Sequence, residues 1–167
     1  RRLPRWQVPW SEDGPASEPG RIRGDGRDII LFADTFNRHF EPANLAAARR
    51  VLLACGYRLH RIVPADKPRA LCCGRTFLAS GLVAEARQEI QRILPPLAPF
   101  VARGARIVGL EPSCLLTLRD EALGLVPGSD TKAIAAAAVL LEECLAKDFA
   151  AGRITPLQWQ SAQRAAQ

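Results

Sequence analysis

Cys72 and Cys73 are adjacent, and Gly74 after them lets the backbone turn sharply before an amphipathic segment begins. A third cysteine, Cys114, stands in Glu111-Pro112-Ser113-Cys114, where an apolar run gives way to a helix-like stretch. Soft thiolates at the ends of neighbouring strands are the donors an iron–sulfur cluster takes. Two adjacent thiolates chelate one tetrahedral metal awkwardly, whereas they can reach different irons of one cluster. The same residues admit metal-free thiol chemistry. Unpaired backbone N–H groups at a helix start favour a thiolate at Cys114, and Arg75 acts in the same direction on the pair. A vicinal Cys72–Cys73 disulfide, or exchange with Cys114, is then feasible, although no Cys-x-x-Cys is present. Both readings stay open on the residues alone.

The elements that must position these groups alternate between strand and helix. Asp28 to Asp34 reads as a buried parallel strand, and Asp34 or Thr35 ends it. Pro42 to Cys55 reads as a helix with Leu45, Ala48, Leu52 and Cys55 inward and Gly56 closing it. Cys55 is therefore expected in the core. Tyr57 to Val63 and the short run Arg69-Ala70-Leu71 read as strands, the second leading into the cysteine pair. A helix follows with Leu82, Ala86, Ile90 and Ile93 inward and Glu85, Gln88, Glu89 and Arg92 outside. Pro95-Pro96 is expected to break it. Ala105 to Leu110 reads as the next strand, with Pro112 fixing the entry to a helix and Ser113 available as its cap. Thr131 to Lys147 reads as one alanine-rich helix, with Cys144 structural. The fold expected is three-layer α/β, with a mainly parallel sheet of about four strands and flanking helices. His60 falls in mid-strand, and His39 in a loop after the first strand.

Cys72-Cys73-Gly74, the stretch Glu111-Pro112-Ser113-Cys114-Leu115-Leu116-Thr117 and the stretch Leu31-Phe32-Ala33-Asp34-Thr35-Phe36-Asn37 together resemble the cysteine-rich CCG domain. That domain occurs in heterodisulfide reductases, in iron–sulfur components of glycolate and lactate oxidation enzymes, and in large FAD-linked oxidases. The resemblance is to the first repeat of the FAD-linked group and spans residues 28–147. It implies linkers at 1–27 and 148–167, a flavin domain and a second CCG repeat as partners in the same polypeptide, and FAD in that parent rather than on this chain. The absence of methionine and the start at Arg1 agree with a piece of a longer chain.

The function implied is electron transfer within an FAD-linked 2-hydroxy acid dehydrogenase of the D-lactate or glycolate type. The isolated chain is not expected to turn over substrate. Residue by residue, Cys72 and Cys73 match the family's pair, and Cys114 matches one cysteine of its CxxC. Glu111 stands at the other CxxC position and Asp34-Thr35 at the family's first cysteine, so three of five thiolates remain. The resemblance thus implies Cys72, Cys73 and Cys114 as iron–sulfur ligands, with Asp34 and Glu111 as accessory oxygen donors. Alternatives are a cluster-free scaffold that docks the flavin module, and the thiol/disulfide module described above.

Composition narrows the rest. The net charge of +6 is spread along the chain with no basic stripe interleaved with aromatics, so nucleic acid is not the expected partner. No apolar run is long enough to span a bilayer. An odd number of cysteines in a chain with a full core points to reduced thiols and a cytoplasmic setting. Neither a Gly-x-Gly-x-x-Gly turn, a Walker lysine nor a Gly-x-Ser-x-Gly elbow is present.

Overall fold

The apolar run after Arg27 forms strand β1 (Asp28–Phe32), every residue of which is buried. The computed structural model describes residues 5–11, 16–64 and 69–166. Residues 1–4 and 12–15 of the expected N-terminal linker, and residue 167 of the C-terminal one, lie outside the described residues. Strands β2 (Arg58–Leu59), β3 (Arg106–Gly109) and β4 (Ala138–Leu140) complete one parallel sheet in the order β2-β1-β3-β4. The register sets Ile30 opposite Ile107 and Ile107 opposite Ala138.

Side chains alternate across a strand, so the two central strands feed two cores. Ile30, Phe32 and Ile107 face one cluster, whereas Ile29, Leu31 and Val108 face another. The first is covered by α4 (Val83–Val101), α5 (Pro112–Arg119), α6 (Glu121–Leu125) and α7 (Ser129–Ala137). The second is covered by α2 (Pro42–Ala54), α8 (Leu141–Ala150) and α9 (Pro156–Ala166). Helix, sheet and helix make the three-layer α/β fold. No helix of the described residues is long and apolar enough to cross a membrane.

Among the described residues there are four strands, but they are not the four read from the sequence. Arg69-Ala70-Leu71 joins no strand, and the fourth strand lies inside the alanine-rich stretch, as Ala138–Leu140 between α7 and α8. Alanine has strong helix propensity, yet pairing with β3 wins, because the ladder satisfies both strands and buries Ala138. The expected strand Tyr57–Val63 shrinks to Arg58–Leu59.

Pro95 and Pro96 do not break α4, which continues through them and Pro99 to Val101. An interior proline costs about 3 kcal/mol. Ile90, Ile93, Leu97 and Phe100 are buried on the same helix, and about 2 kcal/mol each is of the size needed to offset that. Glu89, expected outside, is buried at 3 % exposure.

The described parts of both terminal segments pack on the domain. Backbone N–H groups of Gln7 and Trp10 donate to the carbonyls of His39 and Arg38, and Trp6 packs on His39 and Phe40. The tail expected as a linker from residue 148 instead ends α8 and adds α9, which packs on α2 and buries Ala162.

Candidate functional site

In the order β2-β1-β3-β4 the chain leaves β1 to one side and returns to the other, so the switch point lies between β1 and β3. Open parallel sheets bind ligands at such points, outside the carboxyl ends of the strands. The segments that follow β1 and β3 carry Thr35 and Cys114.

Beyond β1, Asp34 caps the short helix α1 (Thr35–His39). Its Oδ1 accepts from Asn37 N at 2.9 Å and its Oδ2 from Asn37 Nδ2 at 2.7 Å. Beyond β3, Gly109 lets α5 fold back tightly, since a Cβ there would meet Leu115 Cδ1 at 2.9 Å. Glu111, not Ser113, is the cap of α5: its Oε1 accepts from Ser113 N at 3.3 Å and from Ser113 Oγ at 2.8 Å. Pro112 occupies the first turn, and Cys114 follows it, buried at 4 % exposure.

The cysteine pair arrives from the third side. Gly74 has φ of +80°, and a Cβ on it would lie 2.9 Å from Ala86 O of α4. Only glycine fits both the left-handed turn and that approach. The turn opens α3 (Arg75–Ala79) and sets Cys72 and Cys73 over the ends of β1 and β3. The thiols of Cys72, Cys73 and Cys114 lie together, Cys73 interacting with both of the others. Thr35 Oγ1 lies 3.9 Å from Cys72 Sγ, and Gly74 N donates to the same sulfur at 3.5 Å.

Cys72 and Cys73 keep their protons. Contact with Cys73, then burial, pushes the Cys72 thiol up, only partly opposed by the Gly74 N–H. Contact with Cys114 and burial push Cys73 up to about 12, against opposing contacts from Cys72 and the Arg75 backbone N–H. The Arg75 guanidinium does not reach the thiols; it pairs with Glu121 at 2.8 Å. No disulfide joins any of the cysteines.

The structure therefore brings together Cys72, Cys73 and Cys114. Asp34 and Glu111 flank the site, but the carboxylate oxygens named above serve as helix caps. Thr35 is the oxygen that reaches the sulfurs, and the sequence offered only its place beside Asp34 as a clue. Cys55 and Cys144 lie in the other core cluster, where Cys144 Sγ is 3.9 Å from Tyr57 Oη. His39 takes an edge contact from Trp6, and His60 is spent on Asp28.

Three soft thiols meeting in one place suit part of an iron–sulfur cluster. A full set is not there. Among the described residues, no three His, Cys, Asp or Glu side chains are arranged to hold a single metal ion. Beside the site, a cavity of about 590 Å³ runs along the end of β1, lined by Ile62, Leu71, Leu97 and the arginines Arg38, Arg61 and Arg69. Its volume lies within the range of small-molecule sites, and Leu71 places its wall next to Cys72.

No family model, no curated protein and no solved structure matches the chain. What fold and site define on their own terms is a three-layer α/β domain with three neighbouring thiols, two of them buried, at its switch point.

Proposed function

We propose that the chain is an electron-transfer domain of the CCG type, working within an FAD-linked 2-hydroxy acid dehydrogenase or oxidase. The observation that carries this reading is the convergence of Cys72, Cys73 and Cys114, from two distant segments, at the carboxyl edge of β1 and β3. These three residues would hold an iron–sulfur cluster, which supplies one-electron transfer when bound. Cys72 and Cys73 would give up their protons to do so, because a coordinating thiol is deprotonated outright. Gly74 orients the pair, and the apolar core beneath Cys73 and Cys114 keeps water from the inner sulfurs. Flavin domain and second repeat would come from the parent polypeptide, in a cytoplasmic setting that leaves thiols reduced. The chain alone is expected not to oxidise D-lactate or glycolate.

Anaerobic reconstitution with iron and sulfide tests the proposal. A stable visible and EPR signal, lost in Cys73→Ser and in Cys114→Ser, supports it. A folded chain that retains no iron sinks it for this domain by itself.

One observation favours a second reading, a cluster-free scaffold: among the described residues, no three His, Cys, Asp or Glu side chains are arranged to hold a metal ion. Replacing all three by serine in the parent enzyme would then leave turnover unchanged. Metal-free thiol exchange has less support, since Cys72 and Cys73 are held in the protonated form and the thiolate is the nucleophile.

A further inference from the structure

The segment that delivers Cys72 and Cys73 has no strand ladder, so its backbone groups must find partners elsewhere. Arg92 on α4 supplies them. Its Nη2 donates to Arg69 O at 3.1 Å and its Nη1 to Ala70 O at 3.5 Å. The guanidinium is itself aimed from one turn earlier on the same helix. Glu89 Oε2 accepts from Arg92 Nη1 at 2.7 Å, and Glu89 Oε1 accepts from Arg69 Nη1.

Burying a carboxylate is costly unless it is paired, and the Glu89 side chain is 4 % exposed. Ala86, Ile90, Ile93 and Leu97 already give α4 its apolar contact with the core, so packing does not account for a glutamate here. Its two arginine partners do. One turn before Glu89, Ala86 receives the turn at Gly74. A single helix thus fixes the cysteine segment on both sides, by an arginine fork before the pair and by close backbone packing after it.

We infer that Glu89 and Arg92 are positioning residues for Cys72 and Cys73, doing for this segment what a paired strand would otherwise do. The consequence for electron transfer rests on the proposed role of the cysteines; the effect on the thiols does not. A guanidinium can bond two carbonyls and a carboxylate in one plane, which a lysine ammonium cannot reproduce. Arg92→Lys therefore keeps the charge and loses the fork, while Glu89→Gln keeps the shape and loses the charge that aims it.

The test uses the full chain, reduced and metal-free, alkylated under native conditions with iodoacetamide and read cysteine by cysteine by mass spectrometry. In both variants Cys72 and Cys73 should react about tenfold faster, as local opening frees their segment. Cys55 and Cys144, in the opposite core cluster, should keep their wild-type rates. A parallel rise at all cysteines would mean a general loss of stability and would overturn the inference, as would unchanged rates. Arg92→Lys, the milder change, decides the matter if Glu89→Gln does not fold. Iron uptake in the same variants gives the second readout and should fall with the selective opening. Selective alkylation in a chain whose wild type takes no iron would leave the positioning role standing and the cluster reading refuted.

Discussion

The two ends of the sheet are built from different chemistry. At the amino end, carboxylates are buried and fully matched. Asp28 accepts from Arg58 Nε and Nη2, each at 2.9 Å, and from Arg23 N at 2.8 Å, and it lies 2.8 Å from His60 Nε2. Asp148 accepts from Tyr57 Oη at 2.5 Å, Arg106 Nη2 at 2.6 Å and Arg153 Nη2 at 2.6 Å. Burial alone would raise both carboxyls. The hydrogen bonds outweigh it and hold Asp28 well below the usual range and Asp148 at about 2.

At the carboxyl end there are sulfurs, a hydroxyl and backbone N–H groups, and Cys72 and Cys73 keep their protons. The carboxylates of the amino-end network already have their donors in place and gain nothing from a further ligand. The thiols have fewer and weaker partners: Thr35 Oγ1 and Gly74 N reach Cys72 Sγ at 3.9 and 3.5 Å. Burial and titration behaviour alone would have marked both ends as sites; the partner count sets them apart, and the proposed function assigns the ligand to the carboxyl end.

The largest effect should come from the amino end. Asp148→Ala leaves Tyr57 without its carboxylate acceptor and Arg106 without its ion pair, keeping only Gly26 O, and is expected to cost about 3 kcal/mol, read as a lower urea midpoint. The pH dependence follows the same carboxylate. A depressed folded-state value means stability fully present above the ordinary Asp value of 3.8 and lost as pH falls toward about 2. Asp148→Ala should flatten that part of the urea-midpoint profile, whereas Cys73→Ser should leave it intact.

Next in size is Gly74→Ala, at about 2 kcal/mol, from a left-handed turn and a Cβ forced against Ala86. If the carboxyl end is the functional one, this variant should also lose iron uptake, which Asp148→Ala should keep at low urea. The smallest change in stability, within about 0.5 kcal/mol, is expected for Thr35→Cys. It places a sulfur where a hydroxyl already faces Cys72, and should raise the iron retained per chain on reconstitution. Unchanged iron there, with uptake otherwise normal, would remove Thr35 from the site.

Much of the architecture could be read directly. A continuous apolar run made β1, and Pro42, an inward arc of leucines and Gly56 delimited α2 to within a residue. Cys72-Cys73-Gly74 was legible as a pivot because a glycine after two cysteines constrains the backbone locally. The site around it was less so. Thr35 has no pattern of its own, and Glu89 sits where a helical wheel put it outside; its burial depends on Arg69, twenty residues earlier, and on Arg92.

By itself, then, the sequence determined the α/β class, the two faces of the central strands, and the place where cysteines and a turn coincide. These follow from periodicity and from residues whose backbone preference is intrinsic. Only the tertiary structure decided that Ala138–Leu140 is the fourth strand, that Arg69–Leu71 is not a strand, and that α4 runs through three prolines. It also decided that Cys114 meets Cys73. A strand exists through its partner, and a helix is kept through a breaker by what it buries. Both partner and burial lie far away in sequence, where no local pattern reports them.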